Sequence, residues 1–333
     1  MKQPVIRFAT IDDVESIMQF IDIYWKKGHI LALNRELFLY EYQEGKRINF
    51  VVSEDTQGRL TAVLGFIKTA RTMGGIWLAL WKVASHVKVP MLGISLLDFL
   101  NKSSESNLLM SNGINTKARG IYRYLGYYTG HLNQYVMINK SIDDFKILKL
   151  KISMQSHTFD TSNDIKLQRV YENTLSFDFE ANKKQIPHKD KAYFTKRYFH
   201  HPIYEYEVYD VFKGREVIAL LVMREVQVGS AKALRMVDYM GDEQALSFVS
   251  QSLYDMLITH DYEYVDFMCF GFDEVALHNA GFMKVDPDSD TLVVPNYFSP
   301  FVQENIKIHF FADTIEINRL RMCKSDGDQD RPS

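Results

Sequence analysis

The stretch "ARGIYRYLGY", Ala118 to Tyr127, decides how this chain is read. Ala118, Ile121, Tyr122 and Leu125 recur at intervals of three and four, which gathers them on one face of a helix. Gly126 follows directly, and glycine enters the left-handed conformation that ends a helix without steric cost. The segment is a short amphipathic helix with a tyrosine on its apolar face and a Gly-aromatic pair at its exit.

Just upstream, "NLLMSNGI" reads as a strand. Before it, Leu92, Leu96, Phe99 and Leu100 make another helix face, opening from the turn "KVPMLG", Lys88 to Gly93. Three strand candidates come earlier, "INFVVSED", "TAVLGFIKTA" and "IWLALWKVA", the first two separated by the turn residues "TQGR". Ahead of them lie a helix in "NRELFLYEYQE" and another in "TIDDVESIMQFIDIYW". The latter carries Val14, Ile17, Met18, Ile21 and Trp25 at helical spacing, with Asp12 and Glu15 set as a capping box. "VIRFA" reads as a first strand. Downstream, "NQYVMIN" is expected to close this block near residue 140.

The second half repeats the order. "YEYEVYDVF", "VIALLVMREV" and "KALRMVDYM" read as strands. A helix "EQALSFVSQSLYDMLI", a strand "YEYVDFMCF", a short helix "FDEVALHNA" and the pair Gly281-Phe282 follow. The repeat predicts an α/β fold of two fused domains, 1–145 and 165–333. Each is expected to be a mixed, mostly antiparallel sheet flanked by helices. The connection is expected between about 141 and 165.

Composition narrows the function. The 333 residues are 46% hydrophobic and 24% charged, with a net charge of −3. That balance argues against a nucleic-acid partner. Two cysteines cannot supply a disulfide framework or a four-ligand zinc site, which points to a reducing cytoplasm and no metal. The N-terminus lacks the apolar core of a signal peptide, and no run of 18 uncharged apolar residues predicts a membrane span.

This order of elements resembles the GNAT acyltransferase superfamily. In that family a turn of the form Q/R-x-x-G-x-G/A opens the central helix, and its amides hold the pyrophosphate of an acyl-coenzyme A. Amides and dipole at a helix N-terminus favour a phosphate on general grounds. "KVPMLG" keeps Lys88 at the basic position and Gly93 at the last one, with Met91 where the first glycine is expected and Pro90 removing a donor. The resemblance implies acetyl-coenzyme A, or another acyl-coenzyme A, held at Lys88, Leu92, Gly93, Ile94 and Ser95. "ARGIYRYLGY" matches the family's A-x-x-x-Y-x-x-x-G-F, placing Ala118, Tyr122, Gly126 and Tyr127. Tyr122 there would protonate the departing thiolate; as a helix-face aromatic it would equally serve the core. The second copy has Asp242 and Glu243 at the helix start and Leu277 in place of the tyrosine. It is expected not to bind the coenzyme but to shape the substrate site.

Four further stretches, "YWKKGHILALNRELFLYEYQ", "LALWKV" with "PMLGISLL", "KRYFHHPIYEYEVY" and "KSDGDQDRPS", resemble tandem-GNAT proteins found with bacterial surface-polysaccharide genes. That resemblance implies N-acylation of an amino sugar, often nucleotide-linked.

Individual residues fill in the chemistry. His29, in "KKGHILA", is the first candidate for the base that takes the acceptor's proton, with a surface loop position as its alternative. Glu41, on "LFLYEYQ", is the second. Trp81 on the strand before the turn could stack on a sugar or stand in the core. Arg197, His201 and Tyr204 in "KRYFHHPIYEY" read either as a substrate-binding edge facing the first domain or as an aromatic strand entry. Asp328 and Asp330 in "DGDQDRPS" read as a solvated acidic tail, or as a tail folded back to hydrogen-bond an amino sugar. Two competing functions remain: a Fem-type aminoacyl transferase, which would need a basic groove for tRNA, and a non-catalytic binding protein of the same fold.

Overall fold

The computed structural model describes residues 4–71, 74–104, 106, 108–151 and 165–332. Residues 152–164, most of the expected connection, lie outside the described residues. No helix among the described residues is long and apolar enough to cross a membrane.

The chain begins with strand β1 (Val5–Thr10) and helices α1 (Val14–Phe20), α2 (Ile30–Leu33) and α3 (Arg35–Tyr42). Strands β2 (Gln43–Glu44), β3 (Arg47–Glu54), β4 (Leu60–Lys68) and β5 (Ile76–Val83) follow. Next come α4 (Leu92–Ser103), β6 (Leu109–Ile114), α5 (Thr116–Tyr124), β7 (Tyr128–His131), β8 (Asn133–Ile138) and β9 (Lys149–Leu150). The second half runs β10 (Ile165–Val170), α6 (Lys191–Phe199), β11 (Glu207–Lys213), β12 (Glu216–Val228), β13 (Ala231–Gly241), α7 (Ser250–Thr259), β14 (Tyr262–Phe270) and α8 (Glu274–Asn279). Short strands complete it: β15 (Met283–Lys284), β16 (Leu292–Val293), β17 (Tyr297–Phe298), β18 (Phe301–Val302), β19 (His309–Ala312) and β20 (Met322–Cys323).

These strands build two eight-stranded sheets. The first has the order β1-β3-β4-β5-β6-β19-β7, with β2 beside β3; the second has β10-β11-β12-β13-β14-β8-β15, with β20 beside β14. Each is mostly antiparallel and flanked by helices, so the expected α/β fold of two GNAT-like domains is observed.

The sheets exchange strands. β8 does not close the first sheet as expected; it pairs with β14 from Tyr264↔Ile138 to Cys269↔Asn133. In return β19 enters the first sheet between β6 and β7. Alternating apolar residues show that "NQYVMIN" is a strand but not which sheet receives it.

Local chemistry explains other differences. The capping box belongs to the 3-10 turn Ile11–Asp13 that leads into α1: Thr10 caps it and its backbone N–H donates to Asp13 at 2.7 Å, in place of a box at Asp12 and Glu15. The helix expected from Glu243 is a 3-10 turn, Glu243–Phe248, before α7 takes over. Arg197 lies on a helix and not at a strand entry, because Asp190 caps α6 by accepting from the Tyr193 amide at 2.7 Å.

Two forks place the site. β5 and β6 run parallel but pair only at Ile76↔Leu109 and Trp77↔Met110, then part. β13 and β14 pair from Lys232 to Met236 and also part. α4 packs beside the first fork with Leu92, Leu96, Leu97 and Leu100 buried, each contributing about 1.5–3 kcal/mol.

Candidate active site

The chain's last residues join the two forks. β20 pairs with β14 at Cys269↔Cys323, and Ser325 donates its amide to the Val237 carbonyl of β13 at 3.0 Å. The tail therefore starts in the second fork. It then reaches the first. Asn112 of β6 donates to the carbonyls of Cys323 and Asp326, at 3.2 and 3.4 Å. Gly327 lies against Trp77 of β5, and a Cβ on Gly113 of β6 would fall 1.8 Å from the Gln329 amide nitrogen. Gly113, at φ +80, is thus glycine both for its conformation and for this approach.

Buried ions fix the tail. Lys189 Nζ lies 2.7 Å from Asp238 and 2.7 Å from Asp326. Tyr198 Oη is 2.6 Å from both Asp238 and the Ser325 hydroxyl. Arg197 donates to the carbonyls of Ser325 at 3.1 Å and Asp330 at 2.8 Å, and its other end faces Glu41 at 3.4 Å. The solvated-tail alternative for Asp328 and Asp330 is therefore not what is observed. Burial of these residues was not legible because alternating Asp, Gly and Gln carries the composition of a mobile terminus.

A cleft of about 520 Å³ opens between the two halves beside the tail. Trp25, Lys26 and His29 form one wall, and Tyr204, Arg224, Arg235, Tyr297 and Phe298 the other; Lys324, Asp328, Gln329, Asp330 and Arg331 come from the tail. Four residues singled out from the sequence, His29, Tyr204, Asp328 and Asp330, meet here. Arg331 pairs with Asp328 at 2.7 Å and lies over the Trp25 ring, 5.4 Å from its centroid. The Arg224 guanidinium lies 4.0 Å from the Tyr204 centroid.

His29 is not placed to act as the base in its present form. Its Nδ1 accepts from the Leu31 amide at 3.1 Å, capping α2. Burial, with Arg331 and Lys26 nearby, lowers its pKa to about 4. The neutral ring then carries its proton on Nε2, as a donor. Asp330 is likewise committed, to Arg224 and to the Tyr206 hydroxyl at 3.0 Å.

Glu41 and Arg197 line a different cavity, of about 300 Å³, between α3 and α6 with Tyr40, Lys68 and Arg71. Arg197 is a buried clamp on the tail and does not line the cleft that holds His29 and Tyr204. His201 accepts the Ile203 and Tyr204 amides on Nδ1 and stacks on Tyr204 at 5.3 Å; burial, with Arg197 nearby, lowers its pKa to about 3.

The expected coenzyme residues lie at the start of α4. Met91 caps it in the left-handed conformation, φ 59 and ψ 10, and no side chain accepts from the first turn. The glycine missing from the turn is thus missing where the backbone calls for one. Lys88 is exposed in the preceding loop, and Leu92, Gly93 and Ile94 offer amides without a capping partner. Gly93 admits Trp81, since a Cβ there would lie 3.2 Å from the indole Nε1. Trp81 is 5.7 Å from the Tyr122 ring, and Tyr122 stacks on Phe311 of β19 at 3.6 Å. Burial raises the Tyr122 pKa, so the phenol stays protonated. At the matching place in the second half, Asp242 caps its own turn by accepting from Gln244 at 2.9 Å, which fills that anion site with a carboxylate.

Sequence reasoning missed Trp25, Arg224, Phe311, Lys324 and Arg331. Phe311 had no local signal, because it belongs to a strand exchanged from 190 residues beyond Ile121 along the chain. The Arg-Pro ending of the tail was the only sign that it departs from a plain acidic terminus.

No protein-family model and no curated protein matches the chain. Solved structures do. A GCN5-related N-acetyltransferase from Anabaena variabilis ATCC 29413 superposes with a TM-score of 0.57 at 10% identity, over 93% of this chain and 72% of that one. A probable N-acyltransferase from Enterococcus faecalis V583, described as a conserved protein of unknown function, gives 0.54 at 7%, over 95% and 74%. A GCN5-related glucosamine N-acetyltransferase region of a fungal multi-domain GH3 β-N-acetylglucosaminidase gives 0.50 at 11%, over 92% and 38%. At these identities the likeness is one of fold: the chain has the architecture of the GCN5-related N-acetyltransferases, with two such domains in one polypeptide.

Proposed function

We propose that the protein transfers an acyl group, acetyl in the simplest case, from coenzyme A to the amine of an amino sugar. The observation that carries this reading is the uncapped first turn of α4 standing beside an open strand fork that the tail joins to a polar, aromatic-walled cleft. The amides of Leu92, Gly93 and Ile94 would hold the pyrophosphate, with Lys88 alongside. Backbone amides of β5 facing the fork would stabilise the oxyanion of the tetrahedral intermediate. Tyr122, protonated at neutral pH, would give its proton to the thiolate. In the cleft, Trp25 and Tyr297 offer aromatic surface for a sugar ring, and His29 Nε2 and Asp328 offer a donor and an acceptor. The second domain, with Asp242 in its anion site, would contribute cleft wall and tail support only.

A nucleotide-linked sugar destined for surface polysaccharide fits the sequence resemblance. The excess of basic over acidic side chains around the cleft is in keeping with an anionic acceptor. The test is release of coenzyme A thiol from acetyl-coenzyme A in the presence of free and nucleotide-linked amino sugars. Acceptor-dependent release supports the reading; no release with any amine, by protein that binds the coenzyme, refutes the acceptor class.

A further inference from the structure

Among the described residues, the cleft includes a buried basic side chain with no ion pair. Lys324 follows β20, lines the cleft and is 2% exposed. Among the described residues its Nζ makes no hydrogen bond and no ion pair; it faces the Tyr297 ring, 5.1 Å from the centroid. The buried cations around it are all partnered. Lys189 has Asp238 and Asp326, Arg224 has Asp330, and Arg235 has Asp266 at 2.8 Å. A buried ammonium without a counterion is strongly disfavoured, and the lysine responds by giving up its proton.

The charges around Lys324 are mixed: Arg235 and Arg224 act with burial, whereas Asp330 and Asp266 oppose it. Arg235 comes from β13 and Arg224 from β12. Their carboxylate partners, Asp266 of β14 and Asp330 of the tail, are already engaged by bidentate hydrogen bonds. Across the cleft stand Lys26 and Arg331, with Asp328 tied to Arg331 and His29 neutral. Glu225 on the rim is shared by Lys232 and the Tyr262 hydroxyl. Burial first, then Arg235, lowers the Lys324 pKa to about 7.

We propose that Lys324 is the group that takes the proton from the ammonium of the acceptor. This inference rests on the acyl-transfer reading above. The Lys324 lone pair takes one N–H proton, leaving a free amine and a lysine ammonium. The amine lone pair forms the C–N bond at the thioester carbon, and the C–S bond breaks with its electrons on sulfur. Of the two protons the nitrogen sheds, one passes through Lys324 to water. The other balances the thiolate as coenzyme A thiol, with Tyr122 as the immediate donor. An uncharged lysine suits this task, since a base works best with a pKa near the working pH. His29, with its free nitrogen protonated, and Asp330, held by Arg224, do not.

Two measurements test it. The first is trace acetylation of the intact protein by acetic anhydride over a pH series, read peptide by peptide by mass spectrometry. Lys324 is expected to label with a midpoint near 7, against about 10.4 for exposed lysines. An ordinary midpoint overturns the proposal. The second is turnover of acetyl-coenzyme A with glucosamine by Lys324→Met and Lys324→Arg, alongside calorimetry of acetyl-coenzyme A. Both variants are expected to bind the coenzyme as wild type does, to lose about a hundredfold or more in kcat, and to lose the rising pH limb near 7. If Lys324→Arg keeps kcat and the pH limb, Lys324 holds an anion and the proton role is overturned. If the wild type binds no acetyl-coenzyme A, the acyl-transfer reading fails and this proposal fails with it. The two failures are therefore distinct.

Discussion

Arg224 of β12 and Asp330 of the tail are joined by two parallel hydrogen bonds, from Nε at 3.0 Å and from Nη2 at 2.5 Å. Both side chains are largely shielded from water. Burial alone would raise the Asp330 pKa, but Arg224 and then Arg197 hold it well below the usual carboxylate range. The depressed value contributes stability that is present above the unfolded pKa of about 3.9 and is lost as pH falls through the folded one. Asp330→Ala leaves Arg224 buried and unpaired, so a loss of about 3–5 kcal/mol is expected by urea denaturation at neutral pH. A loss below about 1 kcal/mol, the value of an exposed pair, would mean that the tail is not anchored there.

Two neutral histidines set a second pH dependence. The pKa of His29 is lowered to about 4 and that of His201 to about 3, whereas the unfolded chain titrates near 6.5. Below that value the unfolded state binds protons that the folded state refuses, so stability falls as pH drops from about 6.5 toward 4. His201→Asn keeps an acceptor for the Ile203 and Tyr204 amides while removing the titration. Its stability is expected to vary less steeply over that window in parallel denaturation series. A slope equal to wild type would show His201 charged in the fold.

Met91 gives a prediction of opposite sign. It is 65% exposed and sits at φ 59, so the side chain packs little while its backbone is strained. Met91→Gly is expected to stabilise the protein by about 1 kcal/mol. Thermal unfolding checks it, and a lowered midpoint would mean that Met91 makes a contact of its own.

The strand exchange predicts cooperative unfolding. Phe311 of β19 stacks on Tyr122 of α5, so the C-terminal half completes the core of the first sheet. Phe311→Ala is expected to cost about 3–5 kcal/mol and to shift a single transition. Two separate transitions, with only one moved, would indicate halves that fold independently.

The sequence showed most elements because periodicity is local. The apolar faces of α4 and α5, the stop at Gly126 and the long strands β4, β5, β12, β13 and β14 were all legible. What was not legible depends on distant partners. "NQYVMIN" looks the same whether it pairs within its own half or beside β14. Arg197 read as a substrate-binding edge or a strand entry because Glu41 and the tail carbonyls that it meets lie far away in sequence. His29 looked like a base because spacing does not reveal that Nδ1 caps α2. Lys324 carried no signal: a lysine beside Ser and Asp reads as solvated until the fold buries it and commits the nearby carboxylates, Asp330 and Asp266, to arginines.

Titration of acetyl-coenzyme A into the wild type and Ser95→Asp by calorimetry decides whether α4 is a coenzyme cradle. The substitution places a carboxylate in the first turn of α4, as Glu243 does in the second half. It favours the helix through its dipole, so lost binding would not reflect unfolding. The expected result is one equivalent bound by the wild type and none by Ser95→Asp. No binding by the wild type, or binding that survives Ser95→Asp unchanged, would contradict a coenzyme site at Leu92, Gly93 and Ile94.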